Sequence, residues 1–499
     1  MRRTHAVALL GLSLAGCAAD AATVTPASAP PPPLASAPVA PAPPPLASAS
    51  PPSAAAPQLP YFAQYRQLLE QMVSVDTSHG GETKLLEPIA ALYRDAGVPV
   101  QILESAPGRG NLVARLKGSG AKKPLLLLAH VDVVPVEGQP WTVPPFTATE
   151  KDGFLWGRGI NDDKSMAAAI VALTLELART HAPLTRDVIV ALTAGEETGG
   201  FAGARWLCEN HRDLLDADIA LNEGGGAQLT DDLAKPIAFG VGVSEKIFQT
   251  FSLEVKGKGG HSSRPPTSGD PVVALARALV KIGEYRFPAK VLPEQKAYFE
   301  AELPFAEKEY VAAMKHVIAS EPRIAPADEA VLVKDAGYNA GIRTTCVTTM
   351  LEGSPQANVL PTSAKAKVNC RILPGETRAQ VKAALEKLIA DPNVVLTQGE
   401  DFGDAAASPF EGEVVDAVRK AVQERFPGTP VVPGLSSGTT DSRYLRNIGI
   451  KAYGVSPGMG SRAEATAGHG AHGPDERKPI KWMEPGAEYF RAVVRTLVL

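Results

Sequence analysis

One stretch of this chain, "LLLLAHVD" at residues 125–132, limits the possible folds more than any other. Its unbroken apolar run is typical of a strand that is buried on both faces inside a mainly parallel sheet. A second run of this kind, "DVIVALTAGEE" at residues 187–197, follows a predicted helix, "SMAAAIVALTLELART" at residues 165–180. Because such strands and helices alternate along the chain, the sequence predicts a layered α/β domain.

The pattern changes near Ser244, where alternating, half-exposed strands replace the buried ones. From there the elements follow the order β-α-β-β-α-β, which predicts a ferredoxin-like α+β domain, although residues 284–343 stay ambiguous. The first pattern resumes afterwards, so the smaller domain is predicted to be inserted into the larger one. The predicted parts are a larger domain in two pieces, residues 58–243 and 403–499, and an inserted domain, residues 244–402.

The first 17 residues have the pattern of a secretory signal, with Arg2 and Arg3, a short apolar segment and then small residues. The end of this segment, "LAGC", resembles the processing box of bacterial lipoproteins, which implies cleavage that leaves a lipid on Cys17. An ordinary signal peptide cut at a small-residue site is the alternative. Residues 18–57 are almost entirely Ala, Pro and Ser, which predicts a disordered tether. Because Ala18 follows the cysteine, the resemblance implies an outer-membrane lipoprotein that faces the periplasm or the cell surface.

The net charge of the chain is -4, which gives no electrostatic basis for binding nucleic acid.

The cysteines leave open whether the protein contains a disulfide. The chain has four cysteines, so that after lipidation of Cys17 the remaining three permit at most one internal disulfide. Cys346 and Cys370 lie in strand-like runs of one region and could pair, but a pair of buried thiols is equally consistent with the sequence.

Four clusters of imidazole and carboxylate side chains occur where successive strands are predicted to end. They are His130 with Asp132, Asp162 with Asp163, Glu196 with Glu197, and Glu223; near the C-terminus the chain also offers His469 and His472. Each cluster alone has a plain explanation, such as a helix cap or a solvated loop. However, open α/β sheets bind ligands at the carboxyl ends of their strands, and carboxylates gathered there repel one another unless a cation lies among them. The mixed ligand set favours zinc, with cobalt or manganese as substitutes.

A series of short motifs runs from about Met72 to the C-terminus. The motifs are "AHVDVVP", "WGRGINDDKSM", "TAGEETGG", "NEGGG", "GKGGHSS", "QANVLP", "RILPGET", "GTTDSRYL" and "HGPDE". In this order they resemble the co-catalytic zinc peptidase family that includes aminoacylase, glutamate carboxypeptidase and succinyl-diaminopimelate desuccinylase. Within it, the chain is most similar to the branch of Gly-X carboxypeptidases and N-acyl-amino-acid hydrolases. The resemblance implies that the inserted domain is a lid that also serves for dimerisation.

The resemblance assigns metal ligands and a base residue by residue. It implies these zinc ligands: His130 and Glu223 for one ion, Glu197 and His472 for the other, and Asp162 as a bridge between the two. His472 matches rather than His469 because it directly precedes "GPDE". Glu196 matches the general base, which takes a proton from the attacking water and delivers it to the leaving amine. Asp132 is expected to accept a hydrogen bond from His130 and so to orient that imidazole.

Other motifs supply candidate substrate contacts. His261 matches a histidine that reaches the scissile carbonyl, often from a dimer partner; a surface residue is the alternative. Asn358 and Arg371 match positions that contact the substrate or support the lid, and the arginine fork suits a carboxylate. For Arg371 an ion pair within the lid is equally consistent with the sequence. Asp441 and Arg443 match positions that shape the site or bind a substrate terminus.

The sequence thus predicts a two-zinc metallopeptidase, tethered to a membrane only by its N-terminal lipid. It would cleave the amide bond beside a free carboxylate in short peptides, as a carboxypeptidase or dipeptidase does. An N-acyl-amino-acid amidohydrolase is the alternative, and the lid could pair with that of a second copy. A non-catalytic zinc- or peptide-binding lipoprotein is the rival from another class. Such a chain is expected to have lost Glu196 or a metal ligand, and this one keeps them all.

Overall fold

The computed structural model of the chain describes residues 59–267, 269–319, 323–400, 403 and 406–499. The predicted signal segment with Cys17 and the predicted tether lie outside these residues. Leu59–Leu499 form one compact unit, so the division into domains at residues 243/244 and 402/403 stays a prediction. Among the described residues, no helix combines the length and apolarity that crossing a bilayer requires.

Helices are distributed along the whole described chain. They are α1 (Tyr61–Val73), α2 (Glu82–Asp95), α3 (Lys164–Arg179), α4 (Ala204–Asn210), α5 (Pro271–Glu284), α6 (Pro293–Glu302), α7 (Lys308–Ala319), α8 (Pro326–Leu332), α9 (Ala336–Ile342), α10 (Arg378–Ile389), α11 (Glu413–Arg425), α12 (Ser442–Asn447), α13 (Arg462–Thr466) and α14 (Ile480–Val498). Short 3₁₀ turns occur at Glu196–Thr198 and Arg212–Leu215.

Strands alternate with these helices in the first part of the chain and again near its end. They are β1 (Val100–Glu104), β2 (Gly110–Leu116), β3 (Leu125–His130), β4 (Thr149–Lys151), β5 (Phe154–Trp156), β6 (Val188–Thr193), β7 (Ile219–Asn222), β8 (Gly226–Leu229), β9 (Pro236–Glu245), β10 (Ile247–Lys256), β11 (Gly260–His261), β12 (Thr345–Glu352), β13 (Val359–Leu360), β14 (Ser363–Ile372), β15 (Val394–Gln398), β16 (Val431–Ser436), β17 (Lys451–Gly454), β18 (Met459–Ser461) and β19 (Arg477–Pro479).

The main sheet runs in the order β1-β2-β6-β3-β7-β17-β9-β8-β18, with β16 paired to β9. Its centre is parallel, because β3 runs parallel to both β6 and β7. The β1-β2, β2-β6 and β8-β9 pairs are antiparallel, so the sheet as a whole is mixed. The prediction of a layered α/β fold with a buried parallel strand at residues 125–130 is confirmed.

Helices cover both faces of the main sheet, which explains why β3 is apolar throughout. Leu125 and Leu127 belong to a core that includes residues of α1, α3 and α14. Leu126 and Leu128, which point the other way, pack in a second core with residues of α4 and α12. A strand between two helical layers has no face that water reaches, so its polar residues are confined to its ends.

A separate antiparallel sheet forms in the predicted insertion, in the order β12-β14-β10-β15. Helices α5 and α10 contribute to the apolar core on it, as the predicted β-α-β-β-α-β order requires. The ambiguous residues between α5 and β12 form the four helices α6 to α9, with a small core of their own. The open question about the cysteines is answered, since a disulfide joins Cys346 of β12 to Cys370 of β14, while Cys208 is a buried free thiol.

The aromatic side chain of Phe239 connects β9 to the C-terminal helix. It is fully buried, and its ring centroid lies 4.7 Å from that of Tyr489 and 4.9 Å from that of Phe426. We expect Phe239→Ala to lower the free energy of unfolding by about 3–5 kcal/mol, because it leaves a cavity between sheet and helix. Urea unfolding followed by tryptophan fluorescence measures the change. The control Val280→Ala, at a side chain that is 57% exposed on α5, should change it by less than about 0.5 kcal/mol.

Candidate metal centre

The carboxyl ends of three neighbouring parallel strands, β6, β3 and β7, meet at one edge of the main sheet. His130 is the last residue of β3. Glu196 and Glu197 begin the 3₁₀ turn just beyond β6, and Glu223 directly follows β7. The order of the strands therefore brings together side chains that are far apart in sequence.

Two groups of potential ligands share the carboxylate of Asp162. In the first group, Nε2 of His130 lies 2.9 Å from Oδ1 of Asp162 and 3.8 Å from Oε2 of Glu223. In the second group, Nε2 of His472 lies 3.1 Å from Oδ2 of Asp162 and 3.0 Å from Oε2 of Glu197. The donor atoms of each group lie within 4.8 Å of one another. The five side chains predicted as ligands are thus brought together, with Asp162 between the other two pairs.

Asp132 holds the turn that carries the two glutamates. Its Oδ1 accepts a hydrogen bond from the backbone N–H of Glu196, and its Oδ2 accepts one from that of Glu197, both at 3.1 Å. The expected bond with His130 is less direct, since Nδ1 of the imidazole lies 3.1 Å from the backbone carbonyl of Asp132 and 3.5 Å from its carboxylate. One aspartate therefore positions both the imidazole and the two glutamates.

Glu476, which the sequence reasoning did not single out, positions the loop of Asp162. Its carboxylate is fully buried and accepts hydrogen bonds from the backbone N–H groups of Gly159 (3.1 Å), Asn161 (2.6 Å) and Asp162 (3.3 Å). Nη1 of Arg158 donates a further bond at 2.7 Å. In the sequence this glutamate is the last residue of "HGPDE", the motif that distinguishes His472 from His469.

His472, not His469, reaches the carboxylates. The backbone of His472 has a φ of 66°. Its carbonyl accepts a hydrogen bond of 2.9 Å from Nε2 of Gln139, which fixes the loop. His469 turns instead towards Glu464, with Nδ1 at 3.3 Å from Oε2.

The crowding of carboxylates changes how the centre titrates. Burial, followed by the negative charges of Asp441, Glu197 and Asp162, raises the pKa of Glu196 well above its ordinary value. Burial and the charge of Glu196 likewise raise the pKa of Glu223. Hydrogen bonds with Asp162 and Glu197 raise the pKa of the His472 imidazole to about 10. This edge of the sheet thus attracts positive charge.

The residues present fit a pair of divalent cations. Each group supplies one imidazole and two carboxylates, the donor set of hydrolytic two-metal sites. Oε1 of Glu197 is buried and has no hydrogen-bond partner among the described residues, so a cation would satisfy an oxygen that the protein leaves unpaired.

A cavity of about 500 Å³, called here the catalytic cavity, opens beside both ligand groups. Glu196 lines it, and so do Phe248, Arg371 and Arg443. The Arg371 guanidinium stacks over the ring of Phe248 at 4.8 Å and donates a hydrogen bond of 3.2 Å to Oγ1 of Thr439. Because Arg371 belongs to β14, the smaller sheet contributes a positive charge to this cavity, while residues that follow strands of the main sheet contribute carboxylates.

Three predicted contacts lie away from this cavity. His261 and Asn358 lie at the antiparallel β11-β13 pair, where Nδ1 of His261 contacts Oγ of Ser263 at 2.7 Å and the Asn358 carbonyl accepts a hydrogen bond from the N–H of Ser262. Asp441 is fully buried behind the cavity, where its Oδ2 accepts a hydrogen bond of 3.1 Å from Thr193. Its burial suits support of the site better than contact with substrate, whereas Arg443 does line the cavity.

Comparison with known proteins gives matches over most of the chain. A profile of Peptidase family M20/M25/M40 matches residues 126–496. The N-fatty-acyl-amino acid synthase/hydrolase PM20D1 of Xenopus tropicalis is 30% identical over 358 residues, which cover 70% of this chain and 68% of that protein. The probable carboxypeptidase S-like 2 of Dictyostelium discoideum is 28% identical, over 77% of this chain and 74% of that protein.

Among solved structures, the M20 family metallo-carboxypeptidase Sso-CP2 from Sulfolobus solfataricus superimposes with a TM-score of 0.65 at 19% identity. The superposition covers 87% of this chain and 98% of that chain, so the two proteins share their fold.

Removing the charge of Glu476 tests its role in positioning Asp162. We expect Glu476→Gln to weaken metal binding by about 10-fold to 100-fold, because a partner that orients a ligand typically contributes that much. Competition with a chromogenic chelator measures the affinity without any substrate. Glu424→Gln, on an exposed part of α11, is the control and should bind metal like the wild type. Unchanged affinity in a folded Glu476→Gln protein would contradict this role.

Proposed function

Because the chain belongs to peptidase family M20/M25/M40, we propose that it hydrolyses the amide bond next to a free carboxylate, with two metal ions and Glu196 as the proton carrier. The observation that carries this proposal is the sharing of Asp162 between two ligand groups, with Glu196 in the adjoining cavity. Membership of the family makes the chain a hydrolase of the metallopeptidase and amidohydrolase type. The roles of single residues and the substrate are the proposal.

Glu196 has the surroundings that a general base requires. Its side chain lines the catalytic cavity, and the turn that carries it is fixed by the hydrogen bond from its N–H to Asp132. Burial raises the pKa of its carboxyl group, which makes the carboxylate a stronger proton acceptor. Glu196 accepts a proton from the attacking water and returns it to the nitrogen of the leaving amine.

The metals proposed here are two zinc ions, with cobalt or manganese as substitutes, because imidazole and carboxylate donors together suit these ions. His130 and Glu223 would hold one ion, Glu197 and His472 the other, and Asp162 both. When bound, such ions polarise the scissile carbonyl and lower the pKa of the attacking water.

A free carboxylate on the substrate is proposed because of the cations that face the ligand groups. Arg371 and Arg443 line the same cavity as Glu196, and Phe248 stacks beneath the Arg371 guanidinium. A guanidinium held over an aromatic ring keeps N–H groups that can form paired hydrogen bonds to a carboxylate. The carboxylate would thus fix the distance between the amide and the metal ligands.

Short peptides and N-acyl amino acids both carry an amide bond next to a free carboxylate. The relative described as a probable carboxypeptidase supports peptides, which the sequence also favoured. The relative that acts on N-fatty-acyl-amino acids supports the second class at slightly higher identity. We therefore propose both classes, with the same roles for the residues of the site.

Two parts of the proposal rest on the sequence alone. A lipid on Cys17 would anchor the protein to the outer membrane. In addition, the lid of a second copy would bring His261 to the scissile carbonyl, since in one chain this histidine lies at the paired strands β11 and β13, outside the catalytic cavity.

Chelation and one substitution separate the metals from the base. We expect a chelator to abolish hydrolysis of N-acetyl amino acids and dipeptides, and zinc to restore it. Glu196→Gln should keep its zinc by elemental analysis and yet lower kcat by about 100-fold to 10,000-fold, the usual contribution of a general base. A variant that retains zinc and turns over at the wild-type rate would rule out the assigned role.

Matched substrates test the role of Arg371. We expect Arg371→Met to raise KM for a substrate with a free carboxylate by about 10-fold or more, the loss expected for a charged hydrogen bond. The same substrate with its carboxylate converted to a carboxamide should be cleaved poorly by wild type and variant alike. Steady-state kinetics on this pair of substrates gives the comparison. An equal effect of the substitution on the kinetics of both substrates would show that Arg371 acts only through the structure of the lid.

A further inference from the structure

A second cavity adjoins the catalytic cavity at Glu223, and a third adjoins the second. The connecting cavity, of about 190 Å³, shares Glu223 and Ser436 with the catalytic cavity. The distal cavity, of about 420 Å³, shares Gly225 and Gly434 with the connecting cavity and is lined on one side by α6. A continuous series of cavities therefore leads from the metal ligands to α6.

One face of β9 forms a wall of both added cavities, and it carries only small residues. These residues are Ala238, Gly240, Gly242 and Ser244. The opposite face of the same strand carries larger, buried side chains, and Phe239, Val241 and Val243 belong to the main core. Since alternate residues of a strand point to opposite faces, the small residues on one face leave a trough beside Ala238 and Gly240. The trough narrows at Gly242, where an added Cβ would lie 3.0 Å from the Cα of Gly454.

Neither the backbone conformation nor the surrounding backbone atoms require a glycine at position 240. A Cβ placed on Gly240 would meet its nearest heavy atom at 3.7 Å, an ordinary contact, and its φ is not positive. Gly225 differs, because its φ is 65° and a Cβ there would lie 2.2 Å from the carbonyl oxygen of Gly454. Gly225 is thus required by the fold, whereas Gly240 keeps the trough open.

The charged groups along these cavities already have partners within the protein. Arg446 pairs with Glu245 at 3.0 Å, and both side chains are buried. In the distal cavity, Oε1 of Glu294 accepts a hydrogen bond from Ser244 at 3.0 Å, and Arg462 is held by Asp335. A peptide in this space would bring N–H and C=O groups that need new partners, but a hydrocarbon chain would not.

We propose that the connecting and distal cavities form an acyl channel that holds the long unbranched acyl chain of an N-acyl amino acid. The substrate carboxylate lies at Arg371, the amide at the metal ligands, and the chain runs past Glu223 along the small face of β9. This assignment rests on the proposed amide hydrolysis, and it names the substrate class within it.

A series of N-acyl derivatives of one amino acid tests the channel. The acyl groups are acetyl, butanoyl, octanoyl, dodecanoyl and hexadecanoyl, each used below its critical micelle concentration. We expect kcat/KM of the wild-type enzyme to rise by about threefold to fourfold for each methylene group until the channel is full, as burial of apolar surface predicts. A kcat/KM that does not change with chain length overturns the channel.

Filling the trough should remove this dependence on chain length. We expect Gly240→Leu to lower the ratio of dodecanoyl to acetyl kcat/KM by about 100-fold, the equivalent of three to four methylene groups. Gly460→Leu, at the open end of the distal cavity where a Cβ meets no described atom within 4 Å, should lower the ratio for the hexadecanoyl substrate most. The matched control is Gly283→Leu, on an exposed part of α5. It should leave the ratio unchanged.

The outcomes separate this inference from the proposed function. If no amide substrate is hydrolysed by zinc-loaded protein, the proposed function fails. If acetyl and dipeptide substrates are hydrolysed but a folded Gly240→Leu protein lowers the rates for acetyl and dodecanoyl substrates equally, only the channel fails. Free dodecanoate should also inhibit the wild type competitively and inhibit Gly240→Leu at least 10-fold more weakly, about the loss of two buried methylene groups. Equal inhibition of both proteins likewise overturns the channel.

Discussion

The centre depends on one carboxylate, that of Asp162, whose two oxygens face two different imidazoles. Oδ1 lies 2.9 Å from His130 and Oδ2 lies 3.1 Å from His472. These histidines come from opposite ends of the folded chain, one from β3 and one from the loop before β19. Everything that holds this carboxylate in place, above all the buried Glu476, therefore also holds the two halves of the site together.

Keeping the surrounding carboxylates ionised together is energetically unfavourable without a nearby positive charge, as the raised pKa values of Glu196 and Glu223 show. The protein tolerates them because each is tied to a stiff element. Asp132 fixes the turn of Glu196 and Glu197 through two backbone N–H groups, and the strand ends fix His130 and Glu223. Rigid placement of like charges stores unfavourable energy that a pair of cations would release.

Much of this arrangement could be predicted from sequence because it depends on short-range patterns. The apolar runs located β3 and β6, and the acidic residues that follow such runs located Glu196, Glu197 and Glu223. Contacts that depend on the course of the whole chain were harder to predict. For Asp441 the sequence leaves open whether it shapes the site or binds a substrate terminus, and its burial against Thr193 favours the first role. The helices α6 to α9 form where the sequence has no clear period.

The sheet order also has a consequence for how the protein is made. The strands β1, β2, β6, β3 and β7 form one portion of the main sheet and β9, β8 and β18 form another; β17 pairs with both β7 and β9 and so joins them. Since β17 ends at Gly454, the ribosome must synthesise more than four hundred residues before β17 can join the two portions of the sheet. Until then the nascent chain carries open strand edges, which makes it a natural client for chaperones that shield such edges.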